Sequence, residues 1–322
     1  MVFRRSVAQQ KEGEPPWLVC CDLESRALRW AMDAEQLRGK EYVVGRTTLI
    51  LPFDHALCEY QQRWKRYDRA LGDISRLLWE KYPNFSAVDI GANVGDSAAL
   101  ISAYHDVNIL CVEGTIVFLP FLMENARRIG SHVRVEYAFI GDSTATTPFT
   151  YQLNSRGTAR LVPDETTGVN VPVKSLGFLL AEARVFGSPR LIKIDTDGYD
   201  FDIINSSLEI LSQVKSVVFY EYAPFERPGI LRNGVESFRS LIQCGYRYFA
   251  VYDNFGNFLL HLQENDLEKW IDLNSYLCSH EAFGKAVYYF DICAFSEDDR
   301  DIFQALRRQE ITLACPDGTL SV

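Results

Sequence analysis

Val88 to Leu100, VDIGANVGDSAAL, is the stretch of this chain whose residue types and spacing most clearly suggest chemistry. An apolar β-type run reaches Asp89, breaks at Gly91 and Gly95, four residues apart, and resumes in small helix-friendly residues. A strand that stops at a glycine turn and feeds a helix offers free backbone N–H groups and lets a ligand press against the main chain. Doubly wound α/β proteins build nucleoside sites in this way. The dinucleotide fingerprint needs G-x-G-x-x-G, and Asn93 stands where its second glycine would be. Asp89, two residues before the first glycine, suits a positively charged nucleoside instead.

S-adenosylmethionine, with its sulfonium and ammonium, is such a ligand. Other acids fall at strand ends: Glu113, Asp142, Asp195 and Glu221 each close or follow an apolar run. Ligands of open parallel sheets lie outside the carboxyl ends of the strands, so these acids would share one edge. Some of them could simply cap the following helices. Glu113 comes 24 residues after Asp89, where a carboxylate accepts both hydroxyls of a ribose. A second motif, IKIDTDGYDFDII (Ile192 to Ile204), delivers Asp195, Asp197, Asp200 and Asp202 in quick succession. Asp200 and Asp202 read as an acidic helix start, whereas Asp195 and Asp197 are better placed for cofactor or substrate. Asp195, Asp197 and Glu221 are also hard oxygen donors suited to Mg²⁺ or Ca²⁺, so a divalent metal is an option, though not the expectation.

The elements that must position these residues alternate from about residue 85. Strands are predicted at Ala87–Ile90, Asn108–Val112, Val133–Phe139, Arg190–Ile194 and Ser216–Tyr220, with two later ones at Tyr246–Tyr252 and Ala286–Phe295. Helices are predicted at Asp96–Tyr104, Phe118–Ile129, Leu176–Phe186, Phe201–Leu211 and Gly234–Gln243. Short, nearly continuous apolar strands separated by helices imply a parallel sheet covered on both faces. The fold expected is α/β: a Rossmann-like, seven-stranded, mostly parallel sheet with helices on both faces and an N-terminal α+β extension. Residues 81–322 would form the main domain and residues 1–80 a substrate-facing cap. The cap carries β-like segments around Tyr42–Leu51 and a charged aromatic helix from Glu59 to Lys81. Its aromatics Trp17, Trp30, Tyr60, Trp64 and Tyr67 could stack on an acceptor or simply pack.

With 33 Lys and Arg against 43 Asp and Glu, the net charge is −10. A nucleic-acid binder carries a basic face, and no basic cluster exceeds a pair, which disfavours nucleic acid as partner. The eight cysteines form no C-x-x-C pair, and several sit in apolar runs, so reduced, buried thiols are expected. No apolar run approaches a membrane span. These features point to a cytoplasmic location.

Taken in order, VDIGANVG, VEGTIVFLPFLMENA, VPVKSLGFLL, IKIDTDGYDFDII and VVFYEYAP resemble the FkbM family of S-adenosylmethionine-dependent methyltransferases over roughly residues 85–225. Asp197 and Asp200 stand where that family usually has Glu, and Tyr199 where it often has His. The resemblance implies a class I methyltransferase that uses S-adenosyl-L-methionine to methylate a hydroxyl of a sugar, glycolipid, glycan or polyketide-like small molecule. It implies that Asp89, Gly91, Ala92, Asn93 and Gly95 form the cofactor loop, that Glu113 and Gly114 meet the ribose, and that Asp142 is the adenine-side acid. Asp197, Tyr199 and Glu221 are the candidate substrate-binding residues. An alcohol nucleophile needs a proton acceptor, and Asp195 is the leading candidate, with His55 second. The alternatives are a Rossmann-like protein that binds S-adenosylmethionine without catalysis, or one that binds NAD.

Overall fold

The computed structural model describes residues 37–142, 149–153, 159–163, 172–183, 186, 188–225, 229–283 and 286–319. A hairpin, β1 (Lys40–Val44) and β2 (Thr47–Leu51), precedes helices α1 (Leu57–Arg63) and α2 (Arg69–Lys81). Next follow β3 (Ser86–Ile90), α3 (Asp96–Ile101), β4 (Asn108–Glu113), α4 (Leu119–Ile129), β5 (Val133–Tyr137) and β6 (Phe139–Ile140). A hairpin of β7 (Phe149–Leu153) and β8 (Ala159–Pro163) leads to β9 (Val173–Lys174) and α5 (Leu176–Glu182). Next come β10 (Leu191–Ile194), α6 (Asp200–Ser206), α7 (Leu208–Val214), β11 (Val217–Tyr222) and α8 (Ile230–Gln243). The chain ends in β12 (Tyr246–Asp253), β13 (Phe258–Gln263), α9 (Leu267–Phe283), β14 (Phe290–Ser296) and α10 (Arg300–Ala314).

The main sheet has the order β13-β12-β14-β11-β10-β3-β4-β5. Its five members from β5 to β11 run parallel, and β14 is inserted antiparallel between β11 and β12. This is the expected α/β class, with one strand more than the seven predicted. The addition, β13, is a half-exposed edge strand that follows β12 through a tight turn. Its turn is set by Asp253, whose carboxylate accepts the N–H groups of Phe255 (3.0 Å) and Asn257 (2.9 Å).

One hydrophobic cluster covers each face. The first joins Val44, Leu49 and Leu71 of the N-terminal segment to Ala87, Cys111 and Phe219 of the sheet. The second packs Phe201, Phe238 and Trp270 onto Ile192, Tyr220 and Ile292. Asn125 of α4 fastens the hairpin to the sheet: its Oδ1 accepts Ile50 N–H at 2.7 Å, and its amide donates to Ile50 O and Val94 O.

Two predicted helices are broken. Glu59–Lys81 is interrupted at residues 64–68, where Asp68 takes φ 55°. The cause is tertiary: Trp64 packs on Phe255 with ring centroids 4.8 Å apart, and Arg66 pairs with Glu310 of α10. Phe201–Leu211 is divided at Ser207 into α6 and α7. The predicted third strand bends at Ala138, after which Phe139–Ile140 pairs with β9 and not with the main sheet. Pro15, Pro16, Trp17, Trp30, Cys20, Cys21 and the stretch NSRGT lie outside the described residues, while the six described cysteines are free thiols. Among the described residues no helix is long and apolar enough to cross a membrane.

Candidate active site

The glycine loop after β3 is bound inward, contrary to the open N–H groups its sequence suggests. The N–H groups of Gly91 and Ala92 both donate to Val112 O, at 3.0 and 3.1 Å, and Gly95 N–H donates to Ala92 O at 2.7 Å. Asn93 N–H donates to Glu113 Oε2 at 2.8 Å, and Thr115 N–H to Glu113 Oε1 at 2.6 Å. The loop's own four amides, those of Gly91, Ala92, Asn93 and Gly95, which could cradle a pyrophosphate, are thus already used. Gly91 is required by the protein itself: at φ 75°, a Cβ there would fall 1.8 Å from Asp195 O. The strand-end loops after β3 and β10 are therefore in main-chain contact.

A cavity of about 950 Å³, mouth included, opens beside this loop. Gly91, Asn93, Glu113, Gly114 and Thr115 line one side, Phe139, Ile140 and Val173 form an apolar wall, and Asp142 stands at the rim. Asp195, Thr196, Asp197 and Tyr199 close the other end. Burial pushes the Glu113 carboxyl up, against the lowering effect of the N–H groups of Thr115 and Asn93. Each carboxylate oxygen accepts one backbone donor and keeps lone-pair capacity for a diol. The donor set fits S-adenosylmethionine: a buried acid for the ribose, an apolar slot for a flat base, and acids where the positive groups would lie.

The strand register places Lys193 of β10 beside Asp89 of β3. Lys193 Nζ lies 3.3 Å from Asp89 Oδ1 and 3.3 Å from Asp195 Oδ2, and donates to Gly91 O at 3.2 Å. Burial works against its charge, and Asp195, Asp89, Asp96 and Asp68 outweigh it, keeping the ammonium protonated. The Asp89 side chain is fully buried and also accepts Ser97 Oγ–H at 2.5 Å. Its partner is thus a lysine of this chain, where the sequence suggested a cationic ligand.

A second cavity, about 800 Å³ with its mouth included, lies on the far side of the same junction. Gly91, Asn93, Asp195 and Asp197 line both. Its remaining walls come from the 55–71 segment, the start of α3, β11 and β14: His55, Tyr67, Asp68, Asp96, Glu221 and Asp291 among them. Burial, with Asp96 and Asp195 nearby, pushes the Asp68 carboxyl up to about 8. Burial likewise raises Asp96, and it raises Glu221 and Asp291 well above the usual carboxylate range, with Asp195 adding to both. His55 Nδ1 accepts Leu57 N–H at 3.3 Å, so in the neutral ring Nε2 carries the proton. His55 is therefore set as a donor, which is a different role from the proton acceptor the sequence suggested.

Of the eight residues expected around the cofactor, Gly91, Asn93, Glu113, Gly114 and Asp142 line the first cavity. Asp89, Ala92 and Gly95 line neither cavity and hold the loop from beneath. Among the expected substrate contacts, Asp197 lines both cavities, Tyr199 the first and Glu221 the second. Asp195 stands at the junction and His55 in the second cavity. Lys193, Asp68, Asp96 and Asp291 were not anticipated. A lysine inside an apolar strand was the legible signal for Lys193, since a buried charge demands a partner. Among the described residues no group of three or more His, Cys, Asp or Glu is placed to hold a metal ion.

Residues 89–248 match the family model described as the methyltransferase FkbM domain. That segment carries the match to the FkbM family of S-adenosylmethionine-dependent methyltransferases that the sequence motifs imply. No curated protein matches the sequence. Among solved structures, the chain is similar to the methyltransferase FkbM from Methylobacillus flagellatus KT, with 14% identity, TM-score 0.31, and coverage of 60% of this chain and 54% of that one. It therefore spans about half of that protein. It is also similar to a precorrin-6y C5,15-methyltransferase from Geobacter metallireducens GS-15, with 13% identity, TM-score 0.34, and coverage of 66% and 81%. A putative caffeoyl-CoA O-methyltransferase from Staphylococcus aureus gives 11% identity, TM-score 0.39, and coverage of 76% and 93%.

Proposed function

We propose that this protein transfers a methyl group from S-adenosylmethionine to a hydroxyl of a small-molecule acceptor of the sugar, glycan, glycolipid or polyketide type. The observation that carries this reading is the meeting of two cavities at Asp195. The first would hold the cofactor, with Glu113 on the ribose and Asp142 on the adenine side. The inward-bonded amides of Gly91, Ala92, Asn93 and Gly95 favour a ligand without a pyrophosphate, and so disfavour NAD. The second cavity would hold the acceptor, and the segment from His55 to Leu71 would be its substrate-facing wall.

When bound, the cofactor supplies an electrophilic methyl on a sulfonium. Asp195, with a half-exposed side chain, would accept the proton of the acceptor hydroxyl as the oxygen–methyl bond forms and the methyl–sulfur bond breaks. Lys193 fixes that carboxylate by holding Oδ2 at 3.3 Å. His55, through Nε2–H, would orient the acceptor. Alignment supplies much of such a displacement, roughly 7–11 kcal/mol in well-oriented systems.

The test is methyl transfer from labelled cofactor over a panel of sugars, glycolipids and polyketide aglycones. Once an acceptor is found, Asp195→Asn should lower turnover by about 10²–10⁴-fold, with cofactor affinity nearly unchanged. A full-rate Asp195→Asn enzyme would remove Asp195 from the reaction.

A further inference from the structure

The second cavity has a composition that restricts what it can accept. Six carboxylates line it, those of Asp68, Asp96, Asp195, Asp197, Glu221 and Asp291, and Lys193 is the one lysine or arginine in its lining. That ammonium is already held by Asp89 and Asp195. A phosphorylated or carboxylated acceptor would bring a further acid into a lining already crowded with acidic groups, whereas hydroxyl and ammonium groups would find acceptors on several sides. An independent observation points to a ligand in the same place. His55 is only 8% exposed, lines this cavity, and its Nε2 has no hydrogen-bond partner. A buried ring N–H left unpaired carries a desolvation cost that a ligand oxygen would remove. The aromatic rings of Tyr60 and Tyr67, in the same lining, supply faces for a cation or the apolar side of a ring.

We infer that the acceptor of this enzyme bears a basic nitrogen together with its hydroxyls, as an amino sugar or amino alcohol does, with the ammonium among the Asp68, Asp96 and Asp291 carboxylates and a hydroxyl oxygen on His55 Nε2. The inference rests on the methyltransferase reading for the word acceptor, and on the second cavity alone for the chemistry. Burial and mutual proximity already favour the protonated forms of Asp68 and Asp291, so an arriving ammonium would replace protons there.

The experiment is a calorimetric comparison of three matched probes, glucosamine, glucose and glucose 6-phosphate, on the full chain with and without S-adenosylhomocysteine. Glucosamine should bind about tenfold or more tighter than glucose, as one charge-assisted contact implies, and glucose 6-phosphate weakest of all. Asp68→Asn and Asp291→Asn, each outside the cofactor cavity, should reduce the glucosamine preference several-fold and leave S-adenosylhomocysteine affinity within about twofold. Equal binding of glucosamine and glucose, stronger binding of the phosphate, or binding of none of the three would overturn the inference. So would tight Mg²⁺ or Ca²⁺ binding that both variants abolish, since the carboxylates would then serve a metal. If glucosamine is preferred but S-adenosylhomocysteine never binds, the cavity's chemistry stands and the methyltransferase reading fails.

Discussion

Glu113 does two jobs with one carboxylate. It receives the N–H groups of Asn93 and Thr115, joining the glycine loop to the end of β4, and it faces the cavity where a ribose would lie. Removing it should therefore injure binding and stability together. Glu113→Ala is expected to weaken S-adenosylhomocysteine binding by roughly 1.5–3 kcal/mol, the worth of charge-assisted bonds, and to lower the melting temperature. Glu113→Gln keeps one acceptor but turns an amide NH₂ toward a backbone N–H, so it should recover little of either. Calorimetry beside thermal unfolding would check this; an alanine variant that binds normally would place the ribose elsewhere. Lys193 shows the same economy, compensating buried Asp89 below while orienting Asp195 above.

The elements were legible where burial alone dictated them. Apolar runs such as NILCV and RLIKI became central strands because both faces of those strands are covered. The junction acids Asp195 and Asp197 were legible too, because one strand end delivers them. The second cavity was not. Its acids Asp68, Asp96 and Asp291 come from three elements, the last of them far along the chain from the other two, and Asp68 enters only because the predicted Glu59–Lys81 helix breaks. Nothing local forces that break; the packing of Trp64 on Phe255 and the Arg66–Glu310 pair do, and Gly256 in the β12–β13 turn leaves room for it. At φ 80°, a Cβ on Gly256 would fall 2.0 Å from Arg66 O. Gly256→Ala should thus push the 64–68 segment out of place and cost more than about 1 kcal/mol of stability. Turnover should drop with S-adenosylhomocysteine affinity held within about twofold. Unchanged turnover would mean that this segment does not shape the acceptor cavity.

For the molecule as a whole, the buried acids make stability depend on pH in a direction that can be worked out. Asp68 is raised to about 8, and Asp200 and Glu136 to about 7, each by burial first; burial also raises Glu221 and Asp291 well above the usual carboxylate range. In the unfolded chain these groups release their protons near pH 4. Between those limits the folded state binds more protons, so its stability falls as pH rises. This contribution is complete below about pH 4 and is lost as pH rises through about 8. The ligand-free protein should melt at a lower temperature at pH 9 than at pH 6, and Asp68→Asn should narrow the difference. An equal or higher melting temperature at pH 9 would show that these carboxyls are ionised in the fold.

The central claim, that the cavity beside the glycine loop is built for S-adenosylmethionine, is tested most directly by titrating the purified chain with S-adenosylhomocysteine and, separately, with NAD. The two-cavity arrangement predicts one S-adenosylhomocysteine per chain, displaced by S-adenosylmethionine, and no heat from NAD. Saturable NAD binding without S-adenosylhomocysteine binding would contradict it.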